Sequence, residues 1–171
     1  MNIAAAYEQA MATVIREFYA PGDGVVIRCW QNLRRDALWS DAGGVDKAAQ
    51  SIDIRAAPPV SDEDQVNMTT ALSVECFCKA ADDRDHAIIA AMYDAAQSAL
   101  DALHYQFTLR PTSTPELTRF EAVMTEEIGQ TFTLGGFTYG DSTAPYNDAG
   151  FNAIGMSLVL HYSRQATVET E

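Results

Sequence analysis

The spacing of apolar residues along the chain changes period several times, and each change marks an element. From Ala71 to Cys78, Leu72, Val74, Cys76 and Cys78 fall on one face at period two, while Ser73, Glu75, Phe77 and Lys79 fall on the other. This alternation predicts a half-buried strand. After Ala80-Ala81-Asp82-Asp83 the period lengthens: Ile89, Met92, Tyr93, Ala96, Ala99, Leu100, Leu103 and Phe107 line one face of a long helix, with Asp94, Gln97, Ser98 and Asp101 opposite. Asp82, with Asp85 three residues on, is the expected N-cap, because a carboxylate there accepts orphan backbone N–H groups.

The same patterns organise the rest of the chain. Ile3, Tyr7, Ala10, Met11, Val14 and Phe18 predict an N-terminal amphipathic helix that stops at Pro21-Gly22-Asp23-Gly24. Val25 to Trp30 is β-rich and predicts a strand; Ala49 to Ala57 alternates and predicts a second strand paired with it. Between them, residues 31–48 read as a long loop or a loop with one helical turn, and residues 58–67 as an acidic connector. Residues 117–133 admit a helical turn through Phe120, Val123 and Met124, or an extended segment through Thr118 to Thr125; the expectation adopted is a strand. Residues 129–150 carry Gly135, Gly136, Gly140 and Pro145 and predict a protruding loop or hairpin. Phe151 to Ser163 returns to period two, with Ile154, Met156, Leu158, Leu160 and Tyr162 on one face. The polar residues 164–171 are expected to fray. The sum is a single α+β domain over residues 1–171: a mostly antiparallel or mixed sheet with two amphipathic helices packed on one face, and long loops.

Charge narrows the function classes. Twenty-four acidic against eleven basic side chains give a formal charge of −13, which opposes general nucleic-acid binding, where Lys and Arg must neutralise phosphates. No apolar run approaches the roughly 20 residues needed to span a bilayer, and no charged leader precedes an apolar stretch, so no membrane partner is expected and the protein is expected to be cytosolic when made. Three cysteines, Cys29, Cys76 and Cys78, all lie in predicted strands and are expected to be reduced core thiols.

No chemical motif emerges. Cys76 and Cys78 are one residue apart with no second pair to complete a zinc site. His86, His104 and His161 read as isolated surface or interface histidines. The Asp82 to Asp85 cluster lacks the glycine of a calcium loop, and Gly135, Gly136 and Gly140 lack the Lys-Ser/Thr of a phosphate loop. The expectation is a protein with no catalytic residue, metal or cofactor, and not an enzyme.

The element order is nevertheless specific enough to compare. An amphipathic helix, a strand pair split by a long loop, the strand and helix of Leu72 to Leu103, and a glycine-rich excursion into the strand Phe151-Asn152-Ala153-Ile154-Gly155-Met156-Ser157-Leu158-Val159-Leu160-His161-Tyr162 resemble the tail-terminator and tail-completion proteins of long-tailed bacteriophages and prophages. The resemblance covers most of the chain and rests on element order; residues 31–48 and 129–150 are longer than in compact members. It implies a structural minor tail protein of the virion neck, assembled in the host cytoplasm. Such a protein forms a cyclic homo-oligomer, a hexamer in the family, caps the tail tube and meets head-completion proteins. The alternative is a small α+β enzyme or ligand-binding domain with a pocket between helices and sheet.

A structural protein acts through its surfaces, and aromatic and arginine side chains are enriched at interface cores. Arg34, Arg35 and Trp39 in the first long loop and Phe137, Tyr139 and Tyr146 in the second are the candidate interface residues, unless they pack back on their own domain. Residues 61–101 hold nine acids against two bases, whereas residues 28–55 hold five bases against four acids. Such opposite-sign regions suit head-to-tail contacts around a ring.

Overall fold

The computed structural model describes residues 3–19, 26–30, 39–40, 44–45, 50–61, 67–109, 115–129, 133–148 and 150–163. They form three helices on one side of a seven-stranded, mostly antiparallel open sheet. The helices are α1 (Ile3–Phe18), α2 (Ala87–Leu109) and α3 (Pro115–Ile128). The strands are β1 (Val26–Cys29), β2 (Trp39–Ser40), β3 (Gly44–Val45), β4 (Gln50–Ala56), β5 (Val60–Ser61), β6 (Asn67–Lys79), β7 (Thr133–Tyr139), β8 (Thr143–Asp148) and β9 (Phe151–Ser163).

Two 13-residue strands, β6 and β9, pair antiparallel along their whole length, from Asn67 opposite Ser163 to Lys79 opposite Phe151. They set the register of everything else. Beyond them the order runs β1-β4-β6-β9-β7, with β5 also on β6 and β8 also on β9. β1 lies parallel to β4, and the other described pairs are antiparallel. The period-two face expected from sequence is the helix-covered one. Leu72, Val74 and Cys76 meet Leu158 and Leu160, and the helix contributes Ile89, Met92, Leu100 and Leu103, all buried. The three cysteines are buried and free.

α1 is enclosed on more sides than an amphipathic stripe predicts. Ala4, Ala6, Ala12 and Ile15 are buried besides Tyr7, Ala10, Met11 and Val14, while Phe18 is largely exposed. Its extra partner is α3: Phe120 of α3 meets the ring of Tyr7 edge-on at 5.9 Å and that of Phe137 at 5.3 Å. The buried Tyr7 hydroxyl donates to the Leu158 carbonyl at 3.0 Å, which offsets its desolvation. Glu8 is also fully buried, and its Oε2 accepts the Ala56 backbone N–H at 3.1 Å, tying α1 to the end of β4.

Several expectations are corrected. Residues 117–128, within the segment 117–133 expected as a strand, are helical: α3 occupies 115–128, with Leu117, Phe120, Met124 and Ile128 buried at three- and four-residue spacing. Pro115 stands at its first position, where the missing N–H costs nothing. Among the described residues there are therefore three helices packed on the sheet, where two were expected. The cap of α2 is Asp83 rather than Asp82: its carboxylate accepts the N–H groups of Ile88 at 2.8 Å and Ile89 at 3.3 Å. Within residues 129–150, expected to protrude as a loop or hairpin, 133–139 and 143–148 form β7 and β8, which pair with β9 end to end instead of protruding. Residues 39–40 and 44–45 of the first long loop pair as a short antiparallel hairpin, and 60–61 of the acidic connector pair with β6.

Two glycines shape the β7–β8 edge. Gly136 has φ 143°, which other residues rarely adopt, and sits where the β7–β9 register slips. At Gly140, whose N–H donates to the Ser157 carbonyl between the two strands, a Cβ would fall 2.2 Å from Ser157 Oγ, so a larger residue would have to displace the Ser157 side chain.

Candidate interaction surface

The edge strand formed by β7 and β8 carries two of the aromatic residues singled out from sequence, and it turns them to opposite sides of the sheet. Tyr139 is in register with Leu158, whose side chain belongs to the helix-covered face, and so it reaches towards α2. Tyr146 is opposite Ala153, which pairs with Phe77 on the open face, away from the described helices, where Ala153 and Phe77 are nonetheless buried. Both tyrosines are exposed, at 44% and 39%. The strand accommodates Pro145 because an edge position needs no N–H on its outer side.

On the helix side, α2 places Gln97, Asp101 and His104 at three- and four-residue spacing beside the end of β7. The Tyr139 hydroxyl donates to Asp101 Oδ1, and Gln97 Nε2 donates to the same oxygen at 2.9 Å. The Tyr139 and His104 rings lie 4.3 Å apart, tilted by 37°. Partial burial and the Asp101 carboxylate push the Tyr139 phenol above its ordinary value, so it stays a neutral donor. Asp101, Ala102, His104 and Tyr139 line an open depression of about 410 Å³.

On the open face, the Tyr146 hydroxyl donates to Glu75 Oε2 at 3.2 Å. The row continues across the sheet from Glu75 to Asp53 and Arg28, which form a two-pronged pair: Nε to Oδ1 at 2.8 Å and Nη2 to Oδ2 at 2.7 Å. Two positions along β4, the Arg55 guanidinium lies 4.5 Å from the Trp30 ring centroid. Nearer β7, Thr138 Oγ1 is 2.9 Å from His161 Nε2. No described helix covers this face, and it mixes both signs of charge with aromatic and hydroxyl groups.

The remaining candidates fare differently. Phe137 is buried at 4% exposure against Phe120, so it is a core residue and not an interface residue of the free chain. Arg34 and Arg35 lie outside the described residues; Trp39 lies in β2, and its side chain is likewise outside them. The residues that sequence reasoning passed over are Glu75, Gln97, Asp101 and Trp30. The polar stripe of α2 already placed Gln97 and Asp101 on its outer face, but nothing in the spacing linked them to Tyr139, about forty residues away.

The thiols offer no nucleophile at neutral pH. Burial, with Glu8 and a smaller opposing effect of Arg16, pushes Cys29 up to about 12. Burial, reinforced by Asp53 and Glu75, does the same for Cys76. Cys78 is also raised, chiefly by burial. Among the described residues, no three His, Cys, Asp or Glu side chains converge as metal ligands. Among the described residues, too, no helix is long and apolar enough to cross a membrane. Compared with known proteins, the chain matches no protein-family profile and no curated sequence.

Proposed function

We propose that the protein is a structural assembly protein of a long-tailed phage or prophage: a tail terminator or completion protein that closes into a ring, caps the tail tube and joins it to the head. In this reading it works at the virion neck after assembly in the host cytoplasm. Its partners are further copies of itself, the tail-tube protein and head-completion proteins.

The observation that carries the reading is the placement of Tyr139 and Tyr146 on opposite sides of one edge strand, held by the long β6–β9 pair. A cyclic oligomer needs each subunit to present two different surfaces, because its contacts are head-to-tail. Here one side offers Asp94, Asp101 and Tyr139, and the other offers Tyr146 with the Arg28–Asp53 and Arg55–Trp30 pairs. The exposed acids of α2 on one side and the exposed Arg55 on the other supply opposite charges that can set partner orientation and register. The α+β layering agrees with what the resemblance to tail terminators implies.

The sequences encoded beside this chain provide the first test. Neighbouring genes for a major tail protein, a tape-measure protein and head-completion proteins support the reading; neighbours confined to metabolic enzymes contradict it. The second reading, a ligand-binding domain, is favoured by the depression between α2 and β7.

A further inference from the structure

We propose that the depression lined by Asp101, His104 and Tyr139 is a receptor for an arginine side chain presented by a partner protein. The shape and the chemistry agree. Asp101 Oδ1 is occupied by both Gln97 and Tyr139, and these two bonds fix the carboxylate on the helix surface. Its Oδ2 accepts no hydrogen bond from a described residue, so one charged acceptor is already oriented and remains open. The Tyr139 ring, 4.3 Å from His104 and 44% exposed, supplies an aromatic surface beside that acceptor.

A carboxylate oxygen next to an exposed aromatic ring is the pairing that a guanidinium satisfies. The planar group stacks on the ring while its N–H groups reach the carboxylate, and it is more weakly hydrated than an ammonium, so it surrenders less on entering a partly desolvated recess. Asp94, exposed two turns earlier on the same side of α2, and the formal charge of −13 add attraction at longer range. An anionic ligand would meet Asp101 and Asp94 unfavourably. A depression of about 410 Å³ accommodates one long side chain, and its open mouth suits a group offered from another protein surface. This inference does not depend on the tail-terminator reading, because any partner with an exposed arginine satisfies it.

The test uses blocked single amino acids and the full chain. Nuclear magnetic resonance titration with N-acetylarginine amide is expected to give saturable shifts at Asp101, His104 and Tyr139, with a Kd of roughly 1–10 mM for so small a probe. N-acetyllysine amide should bind several-fold more weakly, and the neutral isostere N-acetylcitrulline amide should give no saturable shift. Asp101→Asn and, independently, Tyr139→Leu should each weaken arginine binding about tenfold, with thermal midpoints close to wild type because both positions are exposed. Citrulline binding as well as arginine, arginine binding unchanged in both variants, or shifts that map elsewhere would overturn the proposal.

Discussion

Asp83 and Asn152 meet at the N-terminus of α2: the Asn152 side-chain amide donates to the Asp83 backbone carbonyl at 3.1 Å and to its carboxylate Oδ2 at 3.3 Å. The same carboxylate caps the helix through Ile88 and Ile89. One buried aspartate thus fixes both the start of α2 and its position over the start of β9, and thereby where Gln97, Asp101 and His104 arrive beside Tyr139. Asp83→Ala removes the cap and leaves the Asn152 amide short of acceptors. It should lower stability by about 1–3 kcal/mol. In urea titrations the midpoint is expected to fall with an unchanged slope; a midpoint equal to wild type would show that the cap is dispensable.

Glu8 makes a comparable link on the other side of the core. Replacing it by alanine strands the Ala56 N–H that its carboxylate accepts, at a cost of about 1–3 kcal/mol. Faster amide exchange at Ala56 in Glu8→Ala, measured by hydrogen–deuterium exchange, is the local signature; unchanged protection there would contradict the contact.

Phe137 and Tyr146 separate core from surface on the same edge strand. Phe137→Ala should cost about 3–5 kcal/mol, since the ring fills space against Phe120, whereas Tyr146→Ala should stay within about 0.5 kcal/mol of wild type. Thermal or urea unfolding of the two variants decides. Equal, small effects would place Phe137 at the surface, as first expected from sequence.

The buried thiols give the alkaline limit of stability a definite sign. Cys29 and Cys76 are raised from an ordinary 9.0 to about 12, so between these values the unfolded chain releases protons that the folded chain keeps. Their stabilising contribution is complete well below pH 9 and is lost as pH rises towards 12. Denaturant midpoints should decline over that window, and less steeply in a Cys29→Ala/Cys76→Ala variant. At neutral pH a thiol reagent should label Cys29 and Cys76 only after unfolding; rapid native labelling would contradict their burial.

The elements legible in sequence were those whose burial is one-sided. β6, β9 and α2 bury mainly one face, with Phe77 and Ala153 the exceptions, so the period of Leu72 to Cys78, of Ile154 to Tyr162 and of Ile89 to Leu103 reports their type and their core face. α1 was legible as a helix but not as an enclosed one, because burial of Glu8 and Ile15 depends on α3 and β4, which no local pattern encodes. In α3, Thr118 and Thr125 favour an extended segment, whereas Pro115 and the spacing from Leu117 to Ile128 carry the helix signal that the packing selects. The edge strand was hidden by its own composition: Gly136, Gly140 and Pro145 signal turns, yet an edge tolerates all three. For the surface, exposed aromatics were identifiable at Tyr139 and Tyr146, but their separation to opposite faces follows from strand register with β9.

Electron microscopy of tails assembled with this protein tests whether it closes into a ring that caps them. Wild type is expected to appear as a ring at the head-proximal end of tails of uniform length that go on to join heads. Tyr139→Ala/Tyr146→Ala, altered on both proposed contact surfaces, should leave tails uncapped, of variable length and unjoined. Tails that are capped and joined normally by the double variant would contradict the assignment of these surfaces, and wild-type protein that never associates with tails would contradict the terminator reading itself.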